Sequence, residues 1–311
     1  MKLKSLGFLI VLLVLATAAV WGEDTSTPAQ ADETSCASTL KIGVDHYAGI
    51  SDMPGKRRYN DGMWAGNGTT LPSVAYVKWE GPNESSAKLA YGTGEMYDDY
   101  PEQYSGPIEA YYQRRIGSAS VTFGKFWVPF AQQEWMYNPQ WGAMASWSLG
   151  RASLTASANK NENRHRLNAY FRGAYAITDQ IEIGASAALG RGFHFDCIHD
   201  RGYALDTTIS CSNFRFCGEY NYFTAKESDN EFEYLSGKLF YEKWERVTPF
   251  VQKFWWADKS EAFGDFHSTV AGVDWQITPE LGVQAATAPT SAGDVSWLQV
   301  HWAWELPIAS E

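Results

Sequence analysis

Two groups of side chains in this sequence have the types and spacing that chemistry requires. Asp265 and His267 are two residues apart, so a β-strand sets both on one face, where the carboxylate can orient the imidazole for proton transfer. A working site needs a further acid or nucleophile on that surface. Asp98 and Asp99 are adjacent, as are His267 and Ser268, and a strand points neighbours to opposite faces. The second group is Cys197, His199, Cys211 and Cys217, ligand types that zinc accepts, at spacings that fit no common zinc pattern. Neither group is expected to form a catalytic or metal site, so the chain reads as a non-enzyme without a cofactor.

The chain that must position any functional residue is exported. Lys2 and Lys4 precede an apolar run from Leu6 to Val20, the pattern of a secretory signal. A membrane-spanning helix needs roughly 18 or more uninterrupted apolar residues, and this run is shorter and ends in small ones. The expected organisation is a signal peptide over 1–22, a Thr-, Ser- and Ala-rich lead-in over 23–38, and one folded unit over 39–311. Loss of the signal peptide removes two lysines and no acid, moving the net charge from −11 to about −13. An acidic chain repels nucleic acid. Lys56, Arg57, Arg58, Arg164 and Arg166 read as solvated loop or lumen positions.

All four cysteines lie beyond the signal peptide. An oxidising compartment favours pairing, so one bridge from Cys197 to Cys211 or Cys217 is expected within the connection 190–230. Cys36 follows Asp32-Glu33-Thr34-Ser35, which is not the small apolar context of a lipid anchor.

The folded unit shows a two-residue period throughout. Leu40, Ile42 and Val44 alternate with Lys41, Gly43 and Asp45, and Leu298, Val300, Trp302, Trp304 and Leu306 alternate with Gln299, His301, Ala303 and Glu305. Segments of this kind recur at 74–79, 87–91, 108–116, 117–130, 141–149, 152–158, 166–176, 181–189, 232–244, 247–256, 266–277 and 281–285. The mean hydropathy of −0.34 suits a soluble protein or a barrel whose lipid-facing and lumen-facing residues alternate. Three features favour the barrel. Lys41, Glu109, Gln113, Arg166, Asn168, Arg172, Glu182 and Glu305 would be costly in a dry core and are ordinary in a water-filled lumen. Trp79, Tyr91, Trp127, Phe130, Trp141, Trp255, Trp256 and Trp275 fall near segment ends, as girdle residues do. Tight connections such as Thr178-Asp179-Gln180 alternate with long ones at 53–71, 96–105 and 190–230. The expectation is an all-β antiparallel transmembrane barrel of about 12–14 strands. Fourteen Trp and 17 Tyr also suit a secreted carbohydrate-binding sandwich, although no linker divides 39–306 into modules of roughly 100 to 200 residues.

The stretch Val121-Thr122-Phe123-Gly124-Lys125-Phe126-Trp127-Val128-Pro129-Phe130, followed by Glu134, resembles a Gly-x-Phe-x-x-Pro-Phe-Gly-x-Glu segment of bacterial porins of the phosphate-selective type. Ala131 stands where that pattern has Gly. Ile177-Thr178-Asp179 and Ile277-Thr278-Pro279-Glu280-Leu281 resemble the turn-then-strand joints of the same barrels. The resemblance implies an outer-membrane pore and does not carry phosphate selectivity with it. The Asp265/His267 pair is similar to the Asp-x-His pair of outer-membrane aspartyl-type proteases, whose second acidic pair is missing here. The aromatic C-terminus of many such barrels is replaced by Leu306-Pro307-Ile308-Ala309-Ser310-Glu311.

The expected function is passive diffusion of small hydrophilic solutes or ions across the outer membrane. Its partners would be membrane lipid and solute, and the sequence leaves open whether barrels associate as homotrimers. Glu109, Arg114, Arg166, Arg172 and Lys238 are the expected pore wall, with 190–230 outside or folded inwards to narrow it. Arg114 shares a face with Ile108, Ala110 and Tyr112 and also suits a membrane rim.

Overall fold

The computed structural model describes residues 38–51, 59–61, 63–64, 70–71, 73–93, 107–132, 139–161, 166–190, 199–225, 231–258, 265–290 and 293–310. In chain order the strands are β1 (Thr39–Ser51), β2 (Tyr59–Asp61), β3 (Met63–Trp64), β4 (Thr70–Leu71), β5 (Ser73–Gly81), β6 (Ser85–Thr93), β7 (Glu109–Ile116), β8 (Ala119–Trp127), β9 (Pro139–Leu149) and β10 (Ala152–Asn161). They continue with β11 (Arg166–Thr178), β12 (Ile181–Leu189), β13 (Arg201–Cys211), β14 (Phe214–Thr224), β15 (Glu231–Tyr241), β16 (Val247–Asp258), β17 (Phe266–Thr278), β18 (Leu281–Thr290) and β19 (Gly293–Ser310).

From β5 onward each strand pairs antiparallel with the next. β1 pairs with β5 on one side and β19 on the other, which closes the sheet into a barrel of sixteen long strands. β2 adds to the β1 edge and β3–β4 form a small separate hairpin. The count exceeds the expected 12 to 14 because β13 and β14 lie inside the connection 190–230, which is therefore largely a barrel hairpin. Closure of one sheet rules out the sandwich and leaves no long edge.

The sixteen long strands turn an apolar face outward. Leu154, Leu167, Ile183, Leu205, Leu235, Val251 and Leu298 are all exposed. A belt this extensive would be a liability in water, whereas hydrocarbon carries no such penalty. Aromatics mark its two rims. Trp79, Tyr112, Tyr175, Trp244, Trp275 and Trp302 lie towards the short-turn end, and Tyr91, Trp141 and Tyr203 towards the other. Two expected girdle residues are elsewhere: Phe130 is 1% exposed and Trp256 packs against the inner cluster.

Turns such as Pro82–Glu84, Gly117–Ser118, Asp179–Gln180 and Ser212–Asn213 all lie at the end that holds Thr39 and Ser310. The strand ends that lead into the longer connections, at Ser51, Thr93, Trp127, Leu189 and Asp258, all lie at the opposite end. This is the asymmetry of bacterial barrels, with short periplasmic turns and longer outer loops.

Candidate functional site in the barrel lumen

The lumen is built from two unlike halves, and the boundary between them starts in β8. Gly124 has φ of 123°, and a Cβ there would collide with the Ala110 carbonyl oxygen, so only glycine fits. Lys125, the cation on the apolar side of this segment, is fully buried. Pro129 has no N–H to give to a ladder, and Val128–Gln132 leaves the wall and turns into the lumen. Val128, Phe130 and Ala131 pack there in one buried cluster with Tyr170, Phe223, Phe232, Tyr234, Phe254 and Trp297, all inward-facing residues of β11 to β19. The rings of Phe130 and Phe223 stack at 5.7 Å.

Polar contacts fix this segment to the wall. The Ala131 N–H donates to Ser186 Oγ at 2.9 Å, and the Gln132 N–H donates to Glu219 Oε2 at 3.0 Å. Gln132 Nε2 donates to Thr208 Oγ1 at 3.1 Å and to the Thr207 carbonyl at 3.2 Å. Ala131 has φ of 49°, a left-handed conformation that glycine adopts without penalty. That accounts for Gly at this place in the resembling pattern. Among the described residues the element that enters the lumen is thus Val128–Gln132, while the described part of 190–230 forms a hairpin that supplies part of the wall receiving it.

The other half is charged and partly open. Lys41, Lys78 and Lys88 are direct cross-strand partners on β1, β5 and β6, and three ammonium groups in a row repel one another. Carboxylates between them offset this. Lys41 Nζ lies 2.7 Å from Glu80 and 3.0 Å from Glu305, Lys78 also contacts Glu80, and Lys88 contacts Glu109. The Tyr76 hydroxyl donates to Glu305 at 3.1 Å. His301 Nε2 is 2.6 Å from Asp45 and its ring stacks on Tyr47 at 4.3 Å. The side chains of Glu80 and Glu305 keep 39% and 35% of their exposure, so this lattice faces solvent in the lumen. What this arrangement offers is electrostatic: fixed charges of both signs along a solvated surface.

No family model matches the sequence, and no curated protein matches it. Solved structures do. The in-vitro folded trimer form of OmpT, an outer-membrane protein of Vibrio cholerae, superposes with a TM-score of 0.63 at 10% identity, over 86% of this chain and 99% of that one. The anion-selective porin of Comamonas acidovorans gives 0.62 at 11%, over 87% and 100%. OmpF of Salmonella typhi, solved with daunomycin, gives 0.61 at 10%, over 86% and 97%. The fold is that of a bacterial outer-membrane porin.

Within this porin fold, three of the five expected wall residues face the lumen. Glu109 pairs with Lys88 in the charged half. Arg172 reaches Asp206 at 2.7 Å in the filled half. Lys238 lies over the rings of Phe240 and Phe250 at 4.8 and 4.3 Å. Arg114 is a correction: it is exposed on the outer face near the Gly117 turn. The inward parity of β7 belongs to Glu109, Tyr111, Gln113 and Arg115. Arg166 opens β11, and its side chain lies outside the described residues.

Cys211 and Cys217 carry free thiols. They belong to one hairpin, opposite Phe214 and Thr208, and that register puts Cys211 on the outer face and Cys217 on the inner. They cannot bridge each other, and Cys197 lies outside the described residues. His199 is buried beside Phe223 and Phe232, and no metal-binding group occurs among the described residues. Asp265 and His267 are exposed on the outer face, away from the lumen.

Sequence reasoning missed Ser186, Asp206 and Glu219, the inner-wall groups around the in-folded segment. A signal for one of them, Asp206, existed. Gly202, Ala204 and Asp206 alternate with Tyr203, Leu205 and Thr207, a strand pattern hidden by its place between cysteines.

Proposed function

We propose that the chain is an outer-membrane channel for passive diffusion of small hydrophilic solutes and ions. The observation that carries this reading is the contrast across the lumen. Val128–Gln132 fills the side lined by β11 to β17, and the charged lattice on β1, β5 to β7 and β19 stays solvated. Solutes pass along that lattice and are sorted by size and by the field of Lys41, Lys78, Lys88, Glu80, Glu109 and Glu305. Each lysine has a carboxylate neighbour, so ion preference is weak, and the acidic balance of the chain tips it towards cations. No bond chemistry is required. Association as homotrimers accords with the trimer form of the Vibrio cholerae protein.

The test is single-channel conductance of the refolded protein in a planar bilayer under a salt gradient. Stepwise openings with a small cation-selective reversal potential support the reading. Stable insertion without conductance would refute it.

A further inference from the structure

The charged half of the lumen is arranged in rows that cross the strands. Lys41, Lys78, Lys88 and Tyr111 are successive cross-strand partners on β1, β5, β6 and β7, which makes one row of three ammonium groups. Towards the short-turn end the next row carries Glu80, opposite Thr39. Towards the long connections the next row carries Glu305 at one end and Glu109 at the other, with Gly43, Tyr76 and Ala90 between them. Carboxylates therefore flank the ammonium row on both sides along the path, and the three lysines and three glutamates cancel in charge.

Each ammonium group lies against a carboxylate. Lys41 Nζ is 2.7 Å from Glu80 Oε2 and 3.0 Å from Glu305 Oε1, Lys78 contacts Glu80, and Lys88 contacts Glu109. An ammonium has three donors and a carboxylate about four acceptor sites, so these pairs leave room for a further partner from the solvent side. The wall thus presents a set of short dipoles. Opposite charges this close cancel each other's field at longer range, and a free ion of either sign gains little from them. A solute that carries both charges at the same spacing gains at both ends on contact.

Resting on the channel function proposed for this chain, we propose that its favoured solutes are small α-amino acid zwitterions, which align antiparallel to the Lys–Glu pairs of Lys41, Lys78, Glu80 and Glu305. In an α-amino acid one carbon joins the two charged groups through bonds of about 1.5 Å each, so the charges are held about 3 Å apart. That is the spacing of the Lys41 pairs on the wall. The solute's ammonium meets Glu80 or Glu305 while its carboxylate meets Lys41 or Lys78, and no group of the wall has to give up its partner. Contacts between solvated charges are weak, so the solute is released from one pair to the next, as conduction requires. A singly charged solute finds a repelling group beside every attracting one.

The test is swelling of liposomes that carry the refolded full chain, in isotonic alanine and in its uncharged isomer lactamide, so that size and composition are matched. Alanine should enter faster than lactamide by about twofold or more. The double variant Lys78→Met with Glu80→Gln removes one ammonium and one carboxylate and keeps the net charge, and it should bring that ratio closer to one in protein that still shows the heat-modifiable mobility of a folded barrel. Arg114→Ala on the outer face should keep the wild-type ratio. The proposal is overturned if alanine enters wild-type liposomes no faster than lactamide, if the folded double variant keeps the wild-type ratio, or if Arg114→Ala lowers it equally. The wild-type comparison decides the matter if the double variant does not fold. Entry of neither solute would remove the channel function and the proposal together, whereas lactamide entry without an advantage for alanine would leave the channel standing and remove the proposal alone.

Discussion

The two halves of the lumen solve the same problem in opposite ways. A sixteen-stranded barrel encloses more space than its inward side chains can fill. Along β11 to β17 the space is closed with rings and with a piece of chain drawn in from β8. Along β1, β5 to β7 and β19 it is left wet, and charges that would be ruinous in a dry core are held in a lattice. On the proposed channel reading, the filled sector carries most of the stability and sets the width of the path, and the charged sector sets its ion preference.

The largest effect should follow from emptying the filled half. Phe130→Ala removes a ring that is 1% exposed and should cost about 3–5 kcal/mol, read as a lower melting temperature, and widen the path, read as higher single-channel conductance. An unchanged conductance would mean that the segment does not border the route.

Next is the charged half. Glu80→Gln leaves Lys41 and Lys78 without their shared carboxylate and should move the reversal potential towards anions, with a stability change within about 1 kcal/mol because the group is part-exposed. Ala131→Gly should raise stability by about 1 kcal/mol by relieving a left-handed alanine, measured by denaturant midpoint. The two thiols should separate the faces: a charged, water-soluble thiol reagent should label Cys217 and lower conductance, while Cys211 in a bilayer stays unreacted. The smallest effect belongs to Arg114→Ala on the outer rim, within about 0.5 kcal/mol and with conductance unchanged. A clear change in ion preference there would overturn its outward placement.

Much of the barrel was legible because alternation is a local property. The faces of β19 and the inward Lys41, Glu109, Asn168, Arg172 and Glu305 follow from parity alone. Two things were not legible. β13 and β14 carry Gly, Thr and Cys in place of large aliphatics on part of their outer face, so three cysteines made a hairpin read as a braced loop. The destination of Val128–Gln132 is also non-local. Its Pro and left-handed residue announce that the strand stops, but Ser186, Glu219 and the Phe223 ring that receive it are 55 or more positions away. Arg114 shows the third limit, since apolar neighbours on its face already pointed outward and its charge alone suggested a lumen.

The seam between β1 and β19 sets an order of events. Asp45 and His301 meet across it although 256 positions separate them, and thirteen register pairs depend on the final strand. Contacts so distant in sequence form late and slowly. Until the last strand has arrived, the chain presents two bare strand edges, each able to pair with another molecule. Transit to the membrane is therefore the interval of greatest exposure to aggregation, and closure ends it in a single step.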